Sequence, residues 1–329
     1  MSRSSQAYIE AINQALAAYP YPREAEGLYA PVRYALDSGG KRIRPVLLLS
    51  AYEWVSGRED WREAALPVAV SVEVFHNFTL LHDDIMDGSD LRRGMPTVYR
   101  EWGTNAAILS GDAMCILAYE GLLSVAPDCL PGVLKTFNWL AMAVCQGQQY
   151  DMEFERREKV SEGEYMRMIY LKTSALIEGA LRLGAQLGGG GADVIDTLGE
   201  FGKQLGLAFQ LQDDMLDTYG DTATFGKECG DDIWANKSTY LSIWAEAHAD
   251  EVGQAELWAC KQSKGMSRAE KVDRVLSVYE STGARAAIER EISLHLDAAR
   301  AALARGALLL GRRGDLLEGV VDALCGRKR

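Results

Sequence analysis

The sequence predicts an all-α protein, and three features carry that prediction. Apolar residues recur every three or four positions over long stretches, glycine and proline fall between those stretches, and strand-like alternation is nowhere sustained. A helix turns once in about 3.6 residues, so this rhythm draws a single apolar stripe that can be buried.

Taken in order, helical patterns cover residues 5–18 and 24–38, and the pair Gly39-Gly40 stops the second. A third covers 42–56. The next begins near Leu66, with Pro67 placed where a first helical turn tolerates a missing N–H, and runs through Val70, Val74, Phe78 and Leu81. Segments 104–125 and 132–157 are separated by Pro127 and Pro131, both read as stops. The segment 162–187 ends at the Gly188–Gly191 run. From Val194 the stripe Leu198, Phe201, Leu205 and Phe209 marks another long helix, and 237–249, 267–281, 284–310 and 314–325 complete the set. None of the breaks is long enough for an interdomain linker. The expectation is one domain over residues 1–329, a helical bundle around a central apolar cavity.

Apolar residues make up 48% of the chain and charged residues 25%, ordinary values for a globular protein with a sizeable core. The formal charge of -12 argues against nucleic acid, which is held by neutralising phosphates, and against a permanent seat on anionic lipid. The six cysteines (Cys115, Cys129, Cys145, Cys229, Cys260 and Cys325) lack metal-binding spacing and read as reduced, small, buried apolar residues. The opening MSRSSQAYIEAINQ has no apolar signal region, and no run of about 18 apolar residues suggests a membrane span. A cytoplasmic location without stable membrane insertion is expected.

Two helices end in matching acidic signatures, Asp83-Asp84-Ile85-Met86-Asp87 and Asp213-Asp214-Met215-Leu216-Asp217. On a helix the three carboxylates of each motif occupy an arc of about 100°. Phe78, Leu80 and Leu81 precede the first motif, and Phe209 and Leu211 the second. Packing like charges into apolar sequence is costly unless a cation is brought in, and oxygen-only ligands suit Mg2+, which completes its shell with water and substrate phosphates. Basic residues supply the complement: Lys41, Arg42 and Arg44 follow the glycine break, Arg92 and Arg93 follow the first motif, and Lys227 and Lys237 follow the second. Arginine's planar fork suits phosphate oxygens. The sum is a protein that neutralises phosphorylated substrates with local cations.

Eight segments, in order, resemble the trans-isoprenyl diphosphate synthases, or polyprenyl synthetases: GGKRIRP at 39–45, FHNFTLLHDDIMD at 75–87, DLRRGMPTVYREWG at 90–103, LSGDAM at 109–114, GQQYDME at 147–153, LKTSALIEGALRLGA at 171–185, FQLQDDMLD at 209–217 and FGKECGDDIWANKST at 225–239. The resemblance implies a single-domain isoprenoid-synthase bundle, usually a homodimer. Its substrates would be isopentenyl diphosphate and an allylic diphosphate. It implies metal-binding roles for Asp83, Asp84, Asp87, Asp213, Asp214 and Asp217, with Asp83, Asp87 and Asp213 foremost. Lys41, Arg44, His76 and Arg93 would hold isopentenyl diphosphate; Arg92, Lys172, Lys227 and Lys237 would hold the allylic diphosphate. Thr173 and Gln210 would line the developing positive charge, with Lys172 beside them. His82 is as readily placed beside the aspartates as a supporting residue, and His248 and His295 look structural. The tail Arg327-Lys328-Arg329 reads as a solvated end.

The implied chemistry is loss of pyrophosphate from the allylic substrate, attack of the isopentenyl double bond on the carbocation, and loss of a proton. Phe78 lies five residues before Asp83, about 7.5 Å along a helix axis, beside the small Thr79. An aromatic there would floor the product cavity, favouring geranylgeranyl or farnesyl diphosphate over longer polyprenyl chains. Two other functions are weighed: a class I terpene cyclase, which leaves the basic cluster at Lys41 and Arg44 without purpose, and a non-catalytic subunit, expected to have lost metal ligands.

Overall fold

The computed structural model describes residues 3–22, 24–220, 230–263 and 265–325. The helices are α1 (Arg3–Ala17), α2 (Glu26–Asp37), α3 (Ile43–Ser56), α4 (Trp61–Ala64), α5 (Leu66–Met86), α6 (Val98–Trp102), α7 (Thr104–Leu122) and α8 (Leu130–Phe154). They continue with α9 (Glu162–Ile169), α10 (Ala175–Leu187), α11 (Ala192–Tyr219), α12 (Asp231–Trp234), α13 (Tyr240–His248), α14 (Glu251–Gln262), α15 (Arg268–Ser281), α16 (Ala284–Leu310) and α17 (Asp315–Cys325). A wide π turn, Tyr170–Ser174, joins α9 to α10. The all-α class is what the periodicity predicts.

Local sequence explains most boundaries. Pro67 sits in the first turn of α5, as expected. Ser161 opens α9 and Thr239 opens α13 with capping boxes that satisfy amides at each helix start. Three expectations need correction. Pro131 does not stop a helix; it occupies the first turn of α8, where its lost donor has no partner to lose. The helix α14 was not expected, because its face is largely solvated: Val252 and Trp258 are exposed and Cys260 alone is buried. The cysteines are not uniformly buried either, since Cys129 and Cys145 are exposed and Cys115 is partly so.

Among the described residues the exception to helix is a two-residue ladder, β1 (Leu91–Arg92) with β2 (Met95–Pro96), pairing Leu91 with Pro96 and Arg92 with Met95. Arg93 and Gly94 both have positive φ, at 54° and 79°, the geometry of a type I′ turn.

The chain divides into two compact units, one of Met1–Met142, Leu176–Gly202 and Ala302–Val320, the other of Ala143–Ala175, Lys203–Ala301 and Val321–Arg329. In the first unit α5 and α7 pack along their lengths, burying Val68, Val72, Phe75 and Leu81 of α5 with Met114, Ala118 and Leu122 of α7. Phe75 meets Phe137 edge-on, with ring centres 5.5 Å apart. Each such fully buried Leu or Phe contributes about 1.5–3 kcal/mol. In the second unit the buried stripes are Leu205, Ala208 and Leu211 of α11, Val275, Val278 and Tyr279 of α15, and Ile288, Ile292 and Leu296 of α16.

Candidate active site

In the first unit, the basic segment after α2 splits into an inward and an outward set. Gly39 and Gly40 both have positive φ, 83° and 137°, and a Cβ at Gly40 would meet the Arg93 guanidinium at 3.0 Å. Arg42 also takes a left-handed backbone, with φ 48°, and turns its side chain into the protein. Its guanidinium is bonded to Glu73 at 2.7 Å, Asn13 at 3.0 Å and the Leu36 carbonyl at 2.8 Å. Asn77 adds bonds to the Glu73 carbonyl and carboxylate. This buried knot ties α1, α2 and α5 to the start of α3. Lys41 is exposed and Arg44 partly buried, so the knot sorts the three cations.

Arg44 Nη1 lies 3.0 Å from His76 Nε2. A guanidinium only donates, so Nε2 accepts and the imidazole is neutral with its proton on Nδ1. Burial, then the Arg44 charge, hold the His76 pKa well below its ordinary value of 6.5. Burial also pulls Arg44 down to about 10, still cationic at neutral pH.

The hairpin aims the next two arginines. Arg92 donates from Nε to both Asp84 oxygens at 2.8 Å, and its Nη2 lies 2.7 Å from Oδ1 of Asp84 and 3.8 Å from Asp83. Arg93 donates to the Gly39 carbonyl and, at 3.2 Å, to Ser38 Oγ. At the end of α5, Asp84 is buried, Asp83 partly buried and Asp87 exposed. Burial raises the Asp84 pKa, and Arg92 opposes that rise. Phe78 is partly buried, its ring is 4.8 Å from the His82 ring and 5.4 Å from Phe75, and Thr79 beside it spends its hydroxyl on the His76 carbonyl.

The second unit repeats the motif with different partners. Asp214 is buried on α11, while Asp213 is exposed and Asp217 partly buried. Tyr165 donates to Asp214 Oδ2, and Gln210 Nε2 donates to Oδ1 at 3.1 Å. Gln210 Oε1 in turn accepts from Thr173 at 2.9 Å. Asp214 Oδ1, accepting from Nε2, therefore sets the orientation of the Gln210 amide. Burial pushes the Asp214 pKa up to about 7, despite the Tyr165 bond. Burial, then Asp217, likewise push Asp232 to about 7. Lys172 donates to Asp151 at 2.6 Å.

Thr173 and Lys172 lie in the π turn, and glycines let its neighbours close on it. A Cβ at Gly147 would fall 2.2 Å from the Lys172 nitrogen, and one at Gly206 would fall 2.5 Å from Ser174 Cα. Beyond Gly220 the described chain resumes at Gly230, whose amide donates to the Asp217 carbonyl at 2.7 Å, and Asp232 N donates to Asp217 Oδ2 at 3.0 Å. Lys237 follows, its amide bonded back to the Asp232 carbonyl at 2.9 Å.

Within the first unit the structure gathers Arg44 with His76 and Arg92 with Asp83 and Asp84; within the second it gathers Thr173, Gln210 and Asp214. Lys227 and the tail Arg327-Lys328-Arg329 lie outside the described residues. His295 bonds Gln204 at 2.6 Å and His248 bonds the Trp244 carbonyl at 2.9 Å. Sequence reasoning placed Arg42 among the cations facing phosphate, where the structure turns it inward, and missed Glu73, Tyr165, Asp151 and Asp232. The acidic pair after Gly230 was a visible signal for Asp232; Tyr165 offered none, since its role depends on a partner 49 residues away. Among the described residues no three His, Cys, Asp or Glu side chains converge as a ready-made metal cage.

The polyprenyl synthetase family model matches residues 25–279. The chain belongs to the polyprenyl synthetase family. This member is 44% identical over 221 residues to a geranylgeranyl diphosphate synthase of Methanosarcina mazei, covering 66% of this chain and 67% of the relative. It is 36% identical over 277 residues to a geranylfarnesyl diphosphate synthase of Natronomonas pharaonis, covering 77% and 81%. A crystal structure of a geranylgeranyl pyrophosphate synthase superposes with a TM-score of 0.87 at 38% identity, covering 95% of this polyprenyl synthetase and all (100%) of that chain.

Proposed function

We propose that the protein condenses isopentenyl diphosphate with an allylic diphosphate in a Mg2+-dependent reaction, releasing pyrophosphate and giving geranylgeranyl or farnesyl diphosphate. In this reading residues 1–329 work as one domain, in a cytoplasmic homodimer. The observation that carries it is the repeated design of the two aspartate motifs. In each, the inner carboxylate is buried on a fixed partner, and the flanking pair (Asp83 with Asp87, Asp213 with Asp217) is more exposed. Mg2+ takes one or two carboxylates and fills the rest of its shell with water and substrate phosphate, so two-carboxylate sites without a closed cage suit it. Bound there, it would supply charge neutralisation for a departing pyrophosphate.

The chain's own residues do the rest. Asp84 and Asp214 hold Arg92 and Gln210 in place instead of serving as direct ligands. Lys41, Arg44, His76 and Arg93 bind isopentenyl diphosphate; neutral His76 accepts from Arg44, which fixes that guanidinium toward the anion. Arg92, Lys172, Lys227 and Lys237 bind the allylic diphosphate. Gln210 Oε1 and the Thr173 hydroxyl oxygen face a cation with dipoles that stabilise it without capturing it. Phe78, wedged between Phe75 and His82, limits the product.

The homodimer reading is supported by α7 and its C-terminal cap, where Leu109, Ile116 and Leu123 recur at seven-residue steps and are 60%, 63% and 72% exposed, with Met142 of α8 at 61%. A Leu109→Glu, Ile116→Glu double variant should elute as a monomer. The cytoplasmic reading is compatible with the finding that no described helix is long and apolar enough to cross a membrane.

Incubation with labelled isopentenyl diphosphate, each allylic starter and Mg2+, followed by chain-length analysis, tests the proposal. Prenyl products that vanish on chelation are expected; no elongation with any starter would defeat it. Phe78→Ala should lengthen the products, and an unchanged length distribution would remove the floor.

A further inference from the structure

The turn that carries Asp232 and Lys237 is not self-supporting. Helix α12 is four residues long, far below the length at which a helix holds itself together. Its exit passes through Asn236 at φ 56°, a left-handed conformation that ends the helix after a single turn. Something outside the turn has to hold it.

Helix α15 does so from both ends. Arg268, in its first turn, bonds Asp231 Oδ1 at 2.7 Å, at the start of α12. Lys271, one turn further, donates to the Trp234 carbonyl at 3.0 Å and to Asn236 Oδ1 at 2.7 Å, at the other end. Lys271 is only 4% exposed, and its ammonium lies 5.4 Å from the Trp234 ring centre. Burying an ammonium is costly unless its protons are used. Here they meet a carbonyl at a helix C-terminus, where cations are favoured, and the side chain of Asn236. Ser267 caps α15 through the Glu270 amide at 3.3 Å, so the two cations project from a fixed helix start. Lys271, Asp232, Asn236 and Lys237 line one small void of about 50 Å³.

The grip is transmitted to the second aspartate motif by backbone bonds. The amides of Gly230 and Asp232 donate to the Asp217 carbonyl and carboxylate, and the Lys237 amide closes onto the Asp232 carbonyl. We infer that Arg268 and Lys271 are positioning residues for the allylic diphosphate: they clamp α12 so that Asp217 and Lys237 keep their orientation. The inference rests on the reading that Lys237 binds that substrate and Asp217 the Mg2+ that neutralises it.

Misplacement of a binding group by about 1 Å lowers rates by up to roughly 100-fold, and a loosened clamp should give part of that. Lys271→Met keeps the apolar stem and removes the donors. It should raise KM for the allylic diphosphate about tenfold, with the Mg2+ concentration for half-maximal rate rising in parallel and KM for isopentenyl diphosphate unchanged. Arg268→Gln, at a more exposed contact, should do the same about threefold. Arg274→Gln, one turn further along α15 and bonded to Glu256 of α14, should leave every constant unchanged. A folded Lys271→Met enzyme with unchanged allylic KM, alongside Lys237→Ala with a raised one, overturns the clamp. So does a variant that raises both substrates' KM equally, which marks general loosening. If Lys271→Met fails to fold, Arg268→Gln decides by the same criteria. Unchanged allylic KM in Lys237→Ala itself would instead sink the substrate assignment, and the clamp with it.

Discussion

The inner aspartates of the two motifs hold matching places in the sequence and different electrostatic settings. Asp84 is buried against a guanidinium that reaches both of its oxygens. Asp214 is buried against a phenol and an amide, neutral donors only, and its pKa climbs to about 7. A cation lets a buried carboxylate keep its charge; neutral donors soften the penalty without removing it. One sequence signature thus gives a charged strut in the first unit and a titratable one in the second.

The outer aspartates should respond alike, and most strongly. Asp83→Asn and Asp213→Asn are each expected to lower kcat/KM by at least about 100-fold, the scale of losing one electrostatic contact to a developing anion. Full activity in either would remove the motif from the reaction. The inner pair should then diverge. Asp84→Asn strands Arg92 and should cost about 1–3 kcal/mol in thermal or denaturant unfolding, discounted because Arg92 is partly exposed. Asp214→Asn should not destabilise at pH 8, yet should slow turnover, because an amide there no longer dictates which way Gln210 points. Equal destabilisation by both would erase the contrast.

The pH dependence sharpens it further. Asp214 titrates near 7 in the folded chain against an ordinary value of 3.8. Between those values the native state keeps a proton that the unfolded chain has lost. The stability from this group is therefore complete below about pH 4 and drains as pH rises to 7. Melting of metal-free protein should fall in Tm from pH 5 to pH 8, and Asp214→Asn should flatten that slope. A slope unchanged by the substitution would mean Asp214 ionises freely. The smallest effect belongs to Tyr165→Phe, which withdraws one donor from Asp214 and should cost about 1 kcal/mol with a few-fold fall in kcat.

The helices and both motifs were legible because they are written in local spacing: apolar stripes, paired aspartates, cations after a glycine break. The cation sorting at Lys41, Arg42 and Arg44 was not. It depends on a left-handed backbone at Arg42 and on Glu73, thirty-one residues further on. The hairpin escaped because two-residue strands show no alternation, although Arg93-Gly94 stood at its turn. Partners brought together by folding, such as Tyr165 with Asp214, leave no trace in the spacing of either residue.

The wide turn at Tyr170–Ser174 has a consequence for angular phase. Tyr165 bonds Asp214, Thr173 bonds Gln210 and Ser174 bonds the Lys203 carbonyl, all on α11. In an uninterrupted α-helix, eight residues advance about 800°, leaving Tyr165 and Thr173 some 80° out of step. The surplus residue of a π turn cancels roughly one residue's rotation and brings them back within about 20°. Deleting Tyr170 would leave seven residues in regular α geometry and, by that arithmetic, keep the phenol and the hydroxyl in phase, whereas inserting one residue there would swing the phenol off Asp214 while the downstream contacts stay. An unpaired carboxylate in an otherwise intact helix would then be the signature of one residue too many.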